Sequence, residues 1–242
     1  MPINELEQHP YLQDGEIQYK EKLILGSFPV YACTNPDTNE KRQIRADNGT
    51  IRFFYGSSRS SFWYLYSLLV DNQITLPPDP NVILKSLKKK GISITDTILS
   101  CERIDYSALD KDLRRKKYNI SGIQDLITNG VTKIICTSKG VLDDLQSKIL
   151  CKRANPFSSL SIEESQQFHN YFIDQLGGNR KINLICRVFI VGNKRIYALA
   201  LPSPGSPKRK LENFGFLEVN LSREEYAQKY FNNAFKWFLD YE

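Results

Sequence analysis

The sequence predicts an α/β domain built on a parallel sheet, and three observations lead there. Short apolar or β-branched runs at residues 22–26, 92–98 and 133–137 each stop at small or polar residues, as buried strands do. Segments with helix caps and helical periodicity lie between them. A hairpin signal, Gly192-Asn193, separates two further strand-like runs at 182–191 and 194–201 and adds a hairpin edge strand. Strands alternating with helices pair in parallel, because each crossover helix returns the chain to the same end of the sheet. The 242 residues suffice for one well-buried domain, so a single domain over 1–242 with an insertion at 152–181 is expected.

Composition narrows the function classes. Hydrophobic content of 41% with 25% charged residues is globular, and no apolar run approaches the roughly 20 residues that a membrane helix needs. The N-terminus, MPINELEQHP, lacks the basic-then-apolar pattern of a signal peptide, so a cytoplasmic protein without membrane association is expected. Cys33, Cys101, Cys136, Cys151 and Cys186 are widely spaced without a C-x-x-C pair, and only His9 and His169 join them. No metal site and no cofactor are therefore expected, and Cys136 and Cys186, set in apolar runs, read as small buried thiols. The net charge of +6 comes from 33 basic and 27 acidic residues, with basic clusters at 88–90, 114–117 and 208–210. Singly, each cluster is a solvated helix end or loop; several around one crevice attract a polyanion.

In chain order, an N-terminal helix precedes the strand in KLILGSFP (22–29), whose apolar run stops at Gly26. In an open α/β sheet the ligand crevice lies at the carboxyl ends of the strands. There Gly26, Ser27, Phe28 and Pro29 supply close backbone approach, a hydroxyl, an aromatic face and a fixed turn, which suits a flat ring and equally suits an ordinary turn. The polar stretch 30–52 is too long for an idle connection. Residues 62–70 read as an aromatic-rich helix, and Asp79 caps another that opens on Pro80 and ends before Gly91. The second strand, 92–98, carries Asp96 near its carboxyl end; that acid is either functional or a cap or ion-pair partner. Ser107 caps a basic helix, ALDKDLRRKK, and Ser121 with Gln124 forms a capping box for the next. The third strand ends in Thr137, Ser138, Lys139 and Gly140. Ser161 with Glu164, and Ser222 with Glu225, make further capping boxes, and the last helix carries Tyr226, Tyr230, Phe231, Ala234, Phe235 and Phe238 as a core stripe. Unusual residues thus gather at four strand ends: GSFP, Asp96, TSKG and LPSPGSP.

With these stretches in view, the chain resembles the uracil-DNA glycosylase superfamily and, within it, the hypoxanthine-DNA glycosylase branch. LILGSFP is similar to the first motif, and FYGSSRSSFW (54–63) to the aromatic, Arg-containing patch after it. GISITDTILSCERIDYSALDKDL (91–113) is similar to the strand-Asp segment, and LPSPGSP to the closing motif that wedges the minor groove. The resemblance implies a three-layer α/β/α sandwich around a short, mainly parallel sheet. It further implies a monomeric base-excision enzyme that flips a deaminated base, uracil or hypoxanthine, from DNA and hydrolyses its N-glycosidic bond. Gly26, Ser27, Phe28, Pro29 and Tyr55 then bind the base. Arg59, Ser138, Lys139, Pro202, Ser203, Pro204, Ser206 and Lys208 contact DNA, with Thr137 beside them. Asp96 and Ser60 are the catalytic candidates, and Asp37, Asp47 or Asn48 can hold the water instead.

Three positions depart from the pattern. Ser60 stands where the branch carries Asn, Leu201 where many relatives carry His, and Val30 where Gly is usual. An Asn side chain both orients a water and accepts from it, which a hydroxyl does less well. A catalytically degenerate DNA-binding or base-sensing protein of the same fold is accordingly the second reading, and hydrolysis of free nucleosides or nucleotides the third.

Overall fold

A computed structural model describes residues 6–12, 21–34, 50–57, 60–104, 110–152, 156–218 and 221–240. The main sheet has six strands: β2 (Lys22–Gly26), β3 (Ile92–Asp96), β6 (Lys133–Cys136), β7 (Ser159–Ser161), β8 (Cys186–Val191) and β9 (Lys194–Ala200), in the order β3-β2-β6-β9-β8-β7. The first four in that order run parallel, β8 returns antiparallel as the hairpin partner of β9, and β7 forms the edge. Every residue of β2 and β3 is buried, which a parallel sheet reaches only when helices cover both of its faces.

Two groups of helices provide that cover. The first holds α2 (Phe62–Leu69), α3 (Pro80–Lys89), α6 (Ile162–Leu176) and α7 (Arg223–Leu239). Phe235 of α7 meets Phe62 and Tyr66 of α2, while Tyr230 meets Phe172 of α6. The second group is α4 (Ile120–Thr128) and α5 (Lys139–Asp144), the latter running on as a π-helical turn, Leu145–Leu150, whose Ile149 carbonyl accepts from Gln124. The result is an α/β/α sandwich around a mainly parallel sheet. The aromatic stripe of α7 is wholly buried behind a complete Ser222–Glu225 capping box, and Tyr230 Oη donates to the Ala200 carbonyl at the end of β9 (2.6 Å). Cys136 and Cys186 are fully buried, and burial pushes both thiols up.

A second, three-stranded antiparallel sheet, β1 (Leu6–Gln8), β4 (Ile98–Arg103) and β5 (Leu113–Tyr118), rises from the carboxyl end of β3. It corrects two expectations. Among the described residues the N-terminal segment forms a strand, Leu6–Gln8, in place of the expected helix, and the described part of ALDKDLRRKK gives a 3-10 turn, Asp110–Asp112, followed by β5. Among the described residues of that segment, 110–117, Leu113 is the only apolar one, which leaves them little apolar face for a helix to pack; pairing along β4 satisfies the backbone instead. Ser107 lies outside the described residues. Two caps also differ. Asn119, not Ser121, precedes α4, and Ser161 occupies its cap position without a side-chain bond, while the Glu164 carboxylate pairs with Arg195. Residues 156–181 supply β7 and α6, whose Phe172, Ile173 and Leu176 are buried in the main core. Among the described residues, no helix is long and apolar enough to cross a membrane.

α1 (Tyr31–Thr34) is a single turn following Pro29.

Candidate active site

The parallel register aligns the strand ends. Gly26 pairs with Asp96, Leu25 with Cys136, and Cys136 with Ala200, so GSFP, Asp96, TSKG and LPSPGSP all leave the sheet along one edge. The chain after β3 stays at that edge: Thr97 N–H donates to the Gly26 carbonyl (2.9 Å) and Ile98 N–H to that of Ser27 (3.1 Å).

Asp96 is the centre of the arrangement and is only 2% exposed. Its Oδ2 accepts from His9 Nε2 (2.9 Å) and its Oδ1 from Tyr55 Oη (3.2 Å). The Nδ1 atom of His9 accepts from Tyr11 N–H (3.2 Å), which assigns the donated proton to Nε2. Burial, and next to it the charge of Asp96, holds the Tyr55 hydroxyl well above the usual phenol range, so it remains a donor; a hydrogen bond from Thr137 at the end of β6 acts in the opposite direction. That hydroxyl end is enclosed although the residue as a whole keeps some exposure. Tyr55 takes φ 54°, a left-handed conformation that is costly for an aromatic residue and aims its ring along the strand ends.

Gly26 makes this geometry possible. A Cβ there would sit 2.2 Å from Asp96 Oδ1 and 2.3 Å from Tyr55 Oη. The close approach expected at this glycine is therefore to the Asp96–Tyr55 pair. Asn119 fixes the strand end from the far side, donating to Thr95 Oγ1 (3.1 Å) and to the Asp96 carbonyl (3.3 Å).

The small sheet closes over the rest of GSFP. Phe28 is 8% exposed, its ring meets that of His9 at 89°, and the Arg103 guanidinium lies over it at 5.6 Å. Arg103 is itself held by both carboxylate oxygens of Glu7 and donates to the Pro29 carbonyl (2.8 Å). Ser27 hydrogen-bonds Asp110, a residue exposed at its outer side whose carboxyl is nonetheless crowded; burial pushes its pKa up, and the Ser27 bond opposes that.

No family model matches the chain, and no curated protein matches it. Among solved structures, the solution structure of a "putative Uracil DNA glycosylase" from Methanosarcina acetivorans matches over 95% of this chain and 99% of that one, with 14% identity and a TM-score of 0.40. At that score the likeness is loose and speaks to neither the site nor its chemistry.

The other sequence candidates fall into two further places. Ser60 Oγ accepts from Phe62 N–H (3.3 Å), so the hydroxyl is engaged at the start of α2, and Ser61 N–H donates to the Pro204 carbonyl (2.9 Å). That bond ties the aromatic patch to LPSPGSP, where Pro202 and Pro204 are buried while Ser203, Ser206 and Lys208 are exposed. Lys208 pairs with Glu224 (2.7 Å). Ser138 caps α5 by accepting from Val141 N–H, and Lys139 pairs with Asp143, which also holds Arg187. A cleft of about 490 Å³ beside them is lined by Lys139, Lys181, Ile182, Asn183 and Asn213. Arg59, Asp37, Asp47 and Asn48 lie outside the described residues.

Of the three basic clusters, 88–90 ends α3 and leads through Gly91 into the amino end of β3, across the sheet from the site. Sequence reasoning missed His9, Asn119 and Arg103 as parts of the site. Their one common signal is polarity inside otherwise strand-like or capping segments; nothing local ties them to Asp96. Among the described residues, no group of His, Cys, Asp and Glu side chains is placed to hold a metal ion.

Proposed function

We propose that the protein is a DNA glycosylase that hydrolyses the N-glycosidic bond of a deaminated base, uracil or hypoxanthine. The observation that carries the reading is the Asp96 carboxylate, held by His9 and Tyr55 at the carboxyl edge of the sheet, opposite Gly26. Cleavage of the bond between sugar and base leaves positive charge on the sugar and negative charge on the base. A fixed carboxylate stabilises the former and orients the attacking water, while donors directed at the base stabilise the latter. Each Asp96 oxygen accepts one of these bonds, and an ionised carboxylate has about four acceptor sites, so capacity remains for a water. Asp96 is the better water-holding candidate of the two, because a carboxylate can take the proton of the attacking water, which a neutral hydroxyl such as that of Ser60 does poorly. The aligned ends GSFP, TSKG and LPSPGSP support base and backbone contacts on either side of it.

One observation favours the second reading, a base-sensing protein without catalysis: Asp96 and Phe28 are both enclosed, so a flipped base reaches them only if groups packed on them, such as His9, Arg103 or Tyr55, yield. Alkali cleavage of end-labelled single- and double-stranded oligonucleotides with one uracil or one hypoxanthine separates the two. Catalysis predicts a strand break at the modified base. Binding without a break establishes the second reading, and release from free nucleosides alone establishes the third.

A further inference from the structure

The strand β5 carries Arg114, Arg115, Lys116 and Lys117 in succession and lies at the edge of the small sheet, paired among the described residues on one side only. It also contains a bulge. Arg114 faces Glu102 and Lys117 faces Ser100, so three steps along β5 match two along β4, and Arg115 takes φ 45° to absorb the extra residue. A bulge of this kind re-aims side chains, and strain at a non-glycine residue persists where the surrounding structure enforces it.

The charges are poorly compensated. Arg115 reaches Glu102 (2.8 Å), although its own side chain is 80% exposed, and Lys116 lies near Asp110 and Asp144. Arg114 and Lys117 are exposed and have no partner among the described residues. Because the bulge absorbs one residue, the two lie about two strand steps, or about 7 Å, apart, the rise of about two nucleotides. The strand also leads to the site: Asn119, two residues past Lys117, donates its backbone N–H to Thr97 and its side-chain amide to the Asp96 carbonyl.

We propose that the open edge of β5 is a phosphate track: Arg114, Arg115 and Lys117 bind the backbone of a DNA strand beside the nucleotide held at Asp96. Four successive cations on an edge strand repel an added protein strand and attract a polyanion. The choice of DNA as the polyanion rests on the function proposed above; the electrostatic argument does not.

The test is the salt dependence of binding to a fluorescently labelled single-stranded oligonucleotide, read by anisotropy. An Arg114→Ser/Lys117→Ser double variant is expected to flatten the slope of log affinity against log salt by about 1.4, the value for two phosphate contacts. Arg114→Lys/Lys117→Arg keeps the wild-type slope. Lys88→Ser/Lys89→Ser, which removes the same charge at the amino end of the sheet, leaves the slope unchanged. An unchanged slope in the first variant, or an equal flattening in the third, overturns the proposal, and the cations of β5 then serve only to block edge pairing. Both side chains are exposed, and an unchanged thermal midpoint verifies the fold. Base release is scored separately on the same oligonucleotides. A flattened slope without release keeps the track and removes the enzyme; release with an unchanged slope does the reverse.

Discussion

Replacing Gly26 with alanine inserts one methyl group into the most crowded point of the site. The added Cβ would lie 2.2 Å from Asp96 Oδ1, 2.3 Å from Tyr55 Oη and 2.6 Å from Tyr55 Cε1, against an ordinary contact distance of 3.4 Å or more. Carboxylate and phenol must each retreat by about an ångström, which a packed interior resists. Neither has room to do so freely: Asp96 is tied to His9 at 2.9 Å, and the Tyr55 ring packs against Phe62 at 4.7 Å. Overpacking costs about 1–3 kcal/mol, and stretching the hydrogen bond to a buried carboxylate adds about 1.5–3 kcal/mol. The expected loss is therefore about 2.5–6 kcal/mol, or about 5–24 °C in the thermal midpoint of a chain this long. Base release should fall on the order of a hundredfold, since an ångström of misplacement costs about that much. Thermal unfolding followed by circular dichroism reads the first effect and the alkali-cleavage assay the second. Gly205→Ala, with nothing within 4 Å of its added Cβ, is the control for stability. A Gly26→Ala protein that melts within about 2 °C of wild type refutes the crowding argument.

Two further predictions concern the same edge of the sheet. His9→Ala leaves Asp96 Oδ2 buried without its donor and should cost about 2–4 kcal/mol in urea unfolding, with His9→Gln recovering part of it; equal midpoints for His9→Ala and wild type would remove His9 from the site. For Asp143, burial pushes the carboxyl up, but hydrogen bonds from Lys139 and Arg187 outweigh it and hold the pKa below the usual carboxylate range. A carboxyl with a depressed pKa in the folded state contributes stability above its unfolded value near 4 and loses it as pH falls through the folded one. Asp143→Asn should therefore cost about 1 kcal/mol at pH 7, the modest figure reflecting a half-exposed side chain, and nothing near pH 2. A pH-independent difference contradicts that assignment.

What the sequence made legible follows from how each element is stabilised. β2, β3 and β6 are buried by their own apolar residues, so Leu23 to Leu25, Ile92 to Ile94 and Ile134 to Cys136 mark them within a residue or two. The end-to-end alignment of GSFP with Asp96 then follows from parallel pairing. The helix α7 was equally plain, because its stripe and capping box agree. The small sheet was not. LEQ, ILSCER and LRRKKY show little alternation, and the Glu7–Arg103 ion pair that ties β1 to β4 joins positions 96 residues apart. His9 reaches Asp96 only through that sheet, which is why the acid was visible in the sequence and its partner was not. Tyr55 was placed in the site by its neighbourhood in FYGSSRSSFW, but the positive φ that turns it onto Asp96 has no signature in the residue itself.

Asp96→Asn keeps the shape of the side chain while removing its charge. Single-turnover release of uracil or hypoxanthine should fall on the order of a hundredfold or more, with DNA affinity within about threefold of wild type. Release at the wild-type rate by a folded Asp96→Asn protein would contradict the account and move the water-holding group elsewhere at the strand ends.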